Sequence, residues 1–221
     1  MQPETLPGLE RLLEVCGRKG IAVKQEAPVS PALAAGTPVA GQPLDPVLAA
    51  VHARMGYFWV KEEFFLFRRN GGQRFDLTRV NERWRQVRPE PFGSLLVFAE
   101  EDRLGYLYAT VPRLADSRGR QPVVRLDVYE APYALPVASD VDRFFDTYAR
   151  YLEAVLPGPR GVEDAPPPFP WAVPELLARD GPLVALLEAG RFDRLLPPEG
   201  TQAREWSSRL LALAAQKMKS K

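Results

Sequence analysis

The spacing of apolar residues is most regular between positions 94 and 156, where it changes from strand-like to helical. Residues 94–99 (SLLVFA) form a short apolar run, and 104–111 (LGYLYATV) are aromatic and β-branched, so both predict strands. Residues 122–130 alternate, with Val124, Leu126 and Val128 on one side and Arg125, Asp127 and Tyr129 on the other, the pattern of a strand covered on one face. Past Pro132 and Pro136, Val141, Phe144, Phe145, Tyr148, Leu152 and Val155 recur at helical spacing. Ser139, followed three residues later by Asp142, supplies a capping-box start for this helix, which is expected to end near Leu156. Two strands, a third strand and a covering helix predict a helix-backed sheet.

The flanks add elements on both sides. Leu9, Leu12, Leu13 and Cys16 stripe a first helix that Thr5 and Pro7 can start and Gly17 or Gly20 can end. Residues 21–26 read as a short strand, and 27–43, rich in proline and glycine, as a linker or extended wrap. Asp45 caps and Pro46 opens a second helix striped by Leu44, Val47, Leu48, Val51 and Met55, with Gly56 as its stop. Residues 57–61 and 63–68 read as strands around a bend or bulge near Glu62, and Asn70-Gly71-Gly72 supplies turn chemistry. Leu77, Val80, Trp84 and Val87 predict a helix over 77–87, terminated by Pro89 and Pro91.

Prolines crowd residues 157–174, which read as an extended connector. Pro174 begins a short helix, Gly181-Pro182 breaks it, Leu183, Leu186 and Leu187 continue to Gly190, and Thr201 caps a last helix carrying Trp206, Leu210 and Leu213. The expected class is α+β, a mixed or antiparallel sheet flanked by helices with an N-terminal helix and a C-terminal helical extension. Its expected parts are an N-terminal helix and linker over 1–43, a core over 44–156, and a connector and helical extension over 157–221 docked on the core or on a second subunit.

Composition narrows the function. With 221 residues and 46% hydrophobic side chains the chain can bury a core. A formal charge of +1, from 29 basic and 28 acidic residues, gives no broad attraction to nucleic acid or anionic membrane. No apolar run approaches the ~20 residues that cross a bilayer, and residues 1–9 lack the basic start and hydrophobic core of a signal peptide. With a lone cysteine, Cys16, this predicts a cytoplasmic protein, monomeric or homodimeric, with no membrane and no direct nucleic-acid partner.

The order VFAEEDRLGYLY, PVVRLDVYE, VASDVDRFFDTYARYL resembles the SUKH superfamily of bacterial toxin-immunity proteins and fungal cell-wall regulators. The parts that carry the resemblance are Phe98-Ala99, then Glu101-Asp102 with Gly105, Tyr106 and Tyr108, then Pro122-Val123 with Asp127 and Glu130, then Ala138-Ser139 leading to Phe144-Phe145. The resemblance implies a SUKH-like sheet and neutralisation of a cognate protein toxin, a nuclease or another polymorphic toxin domain, by occlusion of its active site. A regulatory or scaffold protein of the same fold, linked to a secretion or envelope system, is the alternative. The abundance of Arg and Ala beside a single isoleucine, Ile21, reads as GC-rich bacterial codon usage.

Candidate chemistry is sparse. Triads and zinc sites need imidazoles or several thiolates, and His52 and Cys16 each lie on or beside an apolar stripe that explains them as packed side chains. No enzyme activity, metal or cofactor is expected. An enzyme using carboxylates alone would draw on Glu62, Glu63, Glu100 and Glu101, whose pairing spacing does not fix.

Glu100, Glu101 and Asp102 form an acidic turn that is either simply solvated or part of a patch meeting a basic toxin surface. Tyr106, Tyr108, Arg125, Asp127 and Tyr129 either display an amphipathic face for partner contacts or pack beneath the C-terminal helices. Arg79, Arg83, Arg85 and Arg88 read as a solvated helix face, and 166–171 (PPPFPW) as an ordered connector before a polyproline ligand.

Overall fold

The computed structural model describes residues 4–61, 64–67, 75–101, 105–129, 132–155 and 168–219. The chain is an α+β protein built on an antiparallel sheet. Among the described residues the sheet has seven strands in the order β1 (Val23–Glu26), β4 (Tyr57–Val60), β5 (Phe64–Leu66), β6 (Leu96–Glu101), β7 (Leu107–Thr110), β8 (Val123–Asp127), β9 (Tyr133–Ala138). Spatial order follows chain order, so neighbouring strands pair as they are made and no crossover is needed. β2 (Pro38–Val39) and β3 (Gln42–Pro43) form a separate small hairpin inside the stretch expected to be a linker.

Two strand expectations change. Residues 133–138 were expected to connect a strand to a helix because Pro132 and Pro136 flank and interrupt them. They form β9, at the sheet edge, where a proline lacking its N–H costs no internal ladder bond. The ladder shifts register at Val123/Val124, opposite Pro136. The strand over 122–130 was expected to be covered on one face only. Val123, Val124, Arg125 and Leu126 are all buried, because packing closes over both sides of β8.

Helix α4 (Val141–Val155) lays Phe144, Phe145, Tyr148 and Leu152 on the sheet. Phe64 meets Tyr148 edge-on at 4.9 Å, Tyr108 meets Phe144 at 4.8 Å, and Phe169 from the C-terminal extension closes on Tyr148 at 5.0 Å. Such pairs add about 0.5–1.5 kcal/mol each beyond burial. The cap of α4 is Asp140, whose Oδ1 accepts from the Arg143 N–H at 2.8 Å, and not Ser139. The Ser139 N–H donates to Asp180 Oδ2 at 2.8 Å instead.

Asp142 reaches across to α1 (Pro7–Lys19), which packs along α4, and accepts from the Gly8 N–H at 2.9 Å and the Leu9 N–H at 3.2 Å. Helix α1 ends where Gly20 takes the left-handed conformation at φ 66°. Helix α2 (Pro46–Arg54) starts as expected: Asp45 Oδ1 accepts from the Val47 N–H at 2.8 Å and the Leu48 N–H at 2.9 Å. Gly56 serves close approach more than helix termination, since a Cβ there would lie 2.3 Å from the Ala27 carbonyl oxygen.

Helix α3 (Leu77–Val87) has its expected span but a different buried face. Leu77, Asn81 and Trp84 turn inward while Val87 is 61% exposed. Asn81 explains the change: its Nδ2 donates to the Val97 carbonyl at 2.7 Å and its Oδ1 accepts from the Val97 N–H at 2.7 Å. One amide thus serves both backbone groups of Val97, where the β6–β7 register shifts.

In the C-terminal extension, α5 (Pro174–Leu177), α6 (Gly181–Glu188) and α7 (Gln202–Lys219) pack together. Gly181-Pro182 opens α6 where a break was expected. Asp180 caps it through the Leu183 N–H, and proline at the first helical positions lacks only an N–H that would be unsatisfied anyway. Thr201 caps α7 through the Arg204 N–H at 3.3 Å. The Ala134 N–H of β9 donates to the Leu195 carbonyl at 2.8 Å, so the extension satisfies part of the sheet edge.

Candidate functional site

The residues singled out by sequence divide into a buried group and a cleft-lining group. Glu101, Tyr108 and Arg125 come together inside the protein because Tyr108 and Arg125 stand opposite each other on β7 and β8, with Glu101 at the end of β6. Arg125 Nε lies 3.4 Å from Glu101 Oε2, and the Tyr108 hydroxyl donates to the same oxygen at 3.3 Å. Burial pushes the Tyr108 hydroxyl well above its usual range, and the Glu101 carboxylate adds to the effect.

Arg125 is only 2% exposed, and its guanidinium lies 3.4 Å from the centre of the Tyr106 ring. Its Nη2 has no hydrogen-bond partner among the described residues. The acidic turn expected at 100–102 is described only in part. Glu101 is buried, Glu100 is half-buried, and Asp102 lies outside the described residues. The pairing of Glu101 with Arg125, invisible in sequence, accounts for the burial.

The second group opens to solvent. Tyr106 and Asp127 line a cleft of about 590 Å³ with Tyr129, Tyr133, Trp171 and Arg194, closed on the far side by the 196–203 turn of the extension. Tyr106 and Tyr129 meet at right angles, 6.1 Å apart. Tyr129 is 68% exposed, and its hydroxyl occupies the space where a Cβ on Gly105 would sit, 2.6 Å away. Gly105 has a φ of 64°, the left-handed backbone that favours glycine there. Asp127 accepts from the Tyr129 N–H at 3.1 Å. Burial, then the adjacent Asp127, pushes the Tyr133 hydroxyl up to about 12, so it stays protonated as a donor. Trp171 is braced edge-on by Trp206 at 5.8 Å.

The tyrosines do not share one environment. Tyr108 packs in the core beneath α4, whereas Tyr106 and Tyr129 face a cleft that the extension helps to wall. Sequence reasoning missed Tyr133, Trp171 and Arg194. Tyr133 was hidden by flanking prolines, although YALPVA is as apolar as the strands recognised. Trp171 and Arg194 reach the cleft only through the path of the extension.

The cleft has the volume of a ligand or side-chain pocket and the aromatic composition of contact hot spots. Among the described residues no group of three His, Cys, Asp or Glu side chains could hold a metal ion, and no helix is long and apolar enough to cross a membrane. No family model, curated protein or solved structure matches the chain.

Proposed function

We propose that the protein works by binding: it is a SUKH-like immunity protein that captures a cognate bacterial toxin in the cytoplasm and occludes the toxin's active site. The order of its strand and helix motifs supports the family reading. The observation that carries the binding reading is the tyrosine-walled cleft, where Tyr129 stands exposed on a support of Gly105 and Tyr106. A rigid aromatic side chain of this kind gives contact area at little entropic cost. Inhibition by occlusion needs shape and charge complementarity at such a surface and no reactive group.

The test is to look for a toxin domain encoded beside this gene and to co-express the two. Survival with the wild-type chain, and loss of protection with a folded Tyr129→Ala variant, is the expected result. Undiminished killing in the presence of soluble, folded protein overturns the immunity reading. A gene with no toxin neighbour would favour the regulatory or scaffold alternative.

A further inference from the structure

The two edges of the sheet are finished differently. At the β9 edge Pro136 offers no N–H, and the Leu195 carbonyl takes up the Ala134 N–H. At the other edge β1 pairs with β4 alone among the described residues, in unbroken register and with no proline inside the strand.

Two bonds fix the direction of the β1 backbone. The Lys61 N–H donates to the Ala22 carbonyl at 2.9 Å and the Gly56 N–H to the Glu26 carbonyl at 3.0 Å, so the even-numbered residues turn their backbone groups towards β4. Alternation along an antiparallel strand then turns the N–H and C=O of Val23 and Gln25 outward, to the open side. Side chains alternate as well. Gln25 stands opposite Phe58, whose ring meets Phe145 of α4, so Val23 and Gln25 share the helix-covered face and Lys24 and Glu26 the opposite one. Lys24 and Glu26 lie 4.0 Å apart with side chains 63% and 39% exposed, which makes their own ion pair weak.

We propose that β1 pairs antiparallel with β1 of a second copy of this chain, with Gln25 on the two-fold axis. Charge selects both the partner and the register. With the axis at Gln25, Lys24 of each copy lies opposite Glu26 of the other, and Val23 lies opposite Ala27. The two Gln25 residues exchange both N–H···O bonds, because theirs are the backbone groups that face outward. An axis at Lys24 or at Glu26 would instead set like charges directly opposite one another, which is destabilising. An edge charged with a single sign repels an added strand, the usual protection; alternation of sign along one face makes this edge complementary to itself. A strand of another protein would need an acid and a base at the same spacing, whereas every copy of this chain carries them. The contact is isologous, so it closes as a pair and does not propagate into a fibre.

This edge is at the opposite end of the sheet from β8 and β9, which help to line the tyrosine-walled cleft, so the pairing stands or falls separately from the immunity reading.

The experiment is sedimentation velocity of the full chain from about 10 µM to about 1 mM, the range that so short a contact calls for. Wild type is expected to shift from monomer towards dimer as concentration rises. Lys24→Glu and Glu26→Lys each set like charges opposite one another and should each self-associate at least about tenfold more weakly. An equimolar mixture of these two single variants restores both opposite-charge pairs and should dimerise as wild type does. Gln25→Pro removes an N–H that β4 does not use and should give a folded monomer, its fold checked by near-UV circular dichroism. Should the proline variant fail to fold, the charge series decides alone.

Wild type that stays monomeric throughout, dimers undisturbed by either single reversal, or a mixture of the two variants that associates no better than each alone overturns the proposal.

Discussion

The carboxylate of Asp142, in the first turn of one helix, accepts the backbone N–H of Gly8 in the first turn of another, at 2.9 and 3.0 Å from its two oxygens. The pair is 134 positions apart in the chain. It joins α1 to α4 where both helices have unsatisfied N–H groups, so one side chain does for a distant helix what a cap does for its own. The approach is close: a Cβ on Gly8 would lie 2.0 Å from the Asp142 carbonyl oxygen.

Asp142→Ala should therefore destabilise the protein by about 1–2 kcal/mol, the scale of a lost cap. Asp142→Asn should cost less, because an amide oxygen still accepts and the mutant escapes the repulsion of Asp140 and Asp146 that, after burial, holds the Asp142 carboxyl above its usual range. Gly8→Ala should exceed both. Urea denaturation of the three variants checks the order, and a Gly8→Ala midpoint equal to wild type contradicts the packing described.

Glu101 and Arg125 should behave as a coupled buried pair. Glu101→Ala leaves the Arg125 guanidinium, 2% exposed, without its carboxylate, and should cost on the order of 3–5 kcal/mol. Combining Glu101→Leu with Arg125→Met removes both charges and should cost clearly less than the sum of the single changes. A double-mutant cycle measures this, and strict additivity would falsify the coupling.

Asn81 is read as the partner of Val97 and not as a helix-surface residue. Asn81→Leu fits the apolar surroundings yet strands a buried N–H and a buried carbonyl, which should cost about 2–6 kcal/mol at 1–3 per group. Asn81→Asp should be no better, since a carboxylate cannot donate to the Val97 carbonyl. Amide hydrogen exchange at Val97 offers a local readout: protection there should drop in Asn81→Leu, which removes the acceptor of the Val97 N–H, and be better kept in Asn81→Asp, whose carboxylate still accepts it.

Asp45 sets a pH dependence with a definite sign. Burial raises its carboxyl from 3.8 to about 6, outweighing the N–H groups of Leu48, Gln121 and Val47 that favour the anion. The folded chain thus holds a proton that the unfolded chain has already released. The stabilisation from this group is complete below about pH 3.8 and is lost as pH rises through about 6.

Burial raises Asp180 in the same direction, while arginine partners lower Glu10 and Asp146 and oppose it. The Asp45 share is isolated by difference: wild type minus Asp45→Asn should gain stability between pH 7.5 and pH 5. A difference that stays flat across that range contradicts the assignment.

How much of this was legible in the chain differs from element to element. The Asp45-Pro46 helix start and the span of α3 follow from local rules, because capping and helical spacing act between residues a turn apart. The helix-backed sheet of the α+β class was legible for the same reason. Local rules failed wherever a distant group supplied a partner. Asn81 turned a different face of α3 inward to serve Val97, and Asp180 took the Ser139 N–H while Asp140 capped α4.

The candidate site divides along the same line. By itself the sequence determined which aromatic and charged side chains lie on neighbouring strands, since period-two spacing places Arg125, Asp127 and Tyr129 together. Only the tertiary structure decided which are buried and which stay open. Arg125 is drawn inward by Glu101 and Tyr106, while Asp127 and Tyr129 reach a cleft whose far wall is an extension that begins some forty residues later in the chain. Burial belongs to the assembled surface, and spacing along one strand does not specify what covers it.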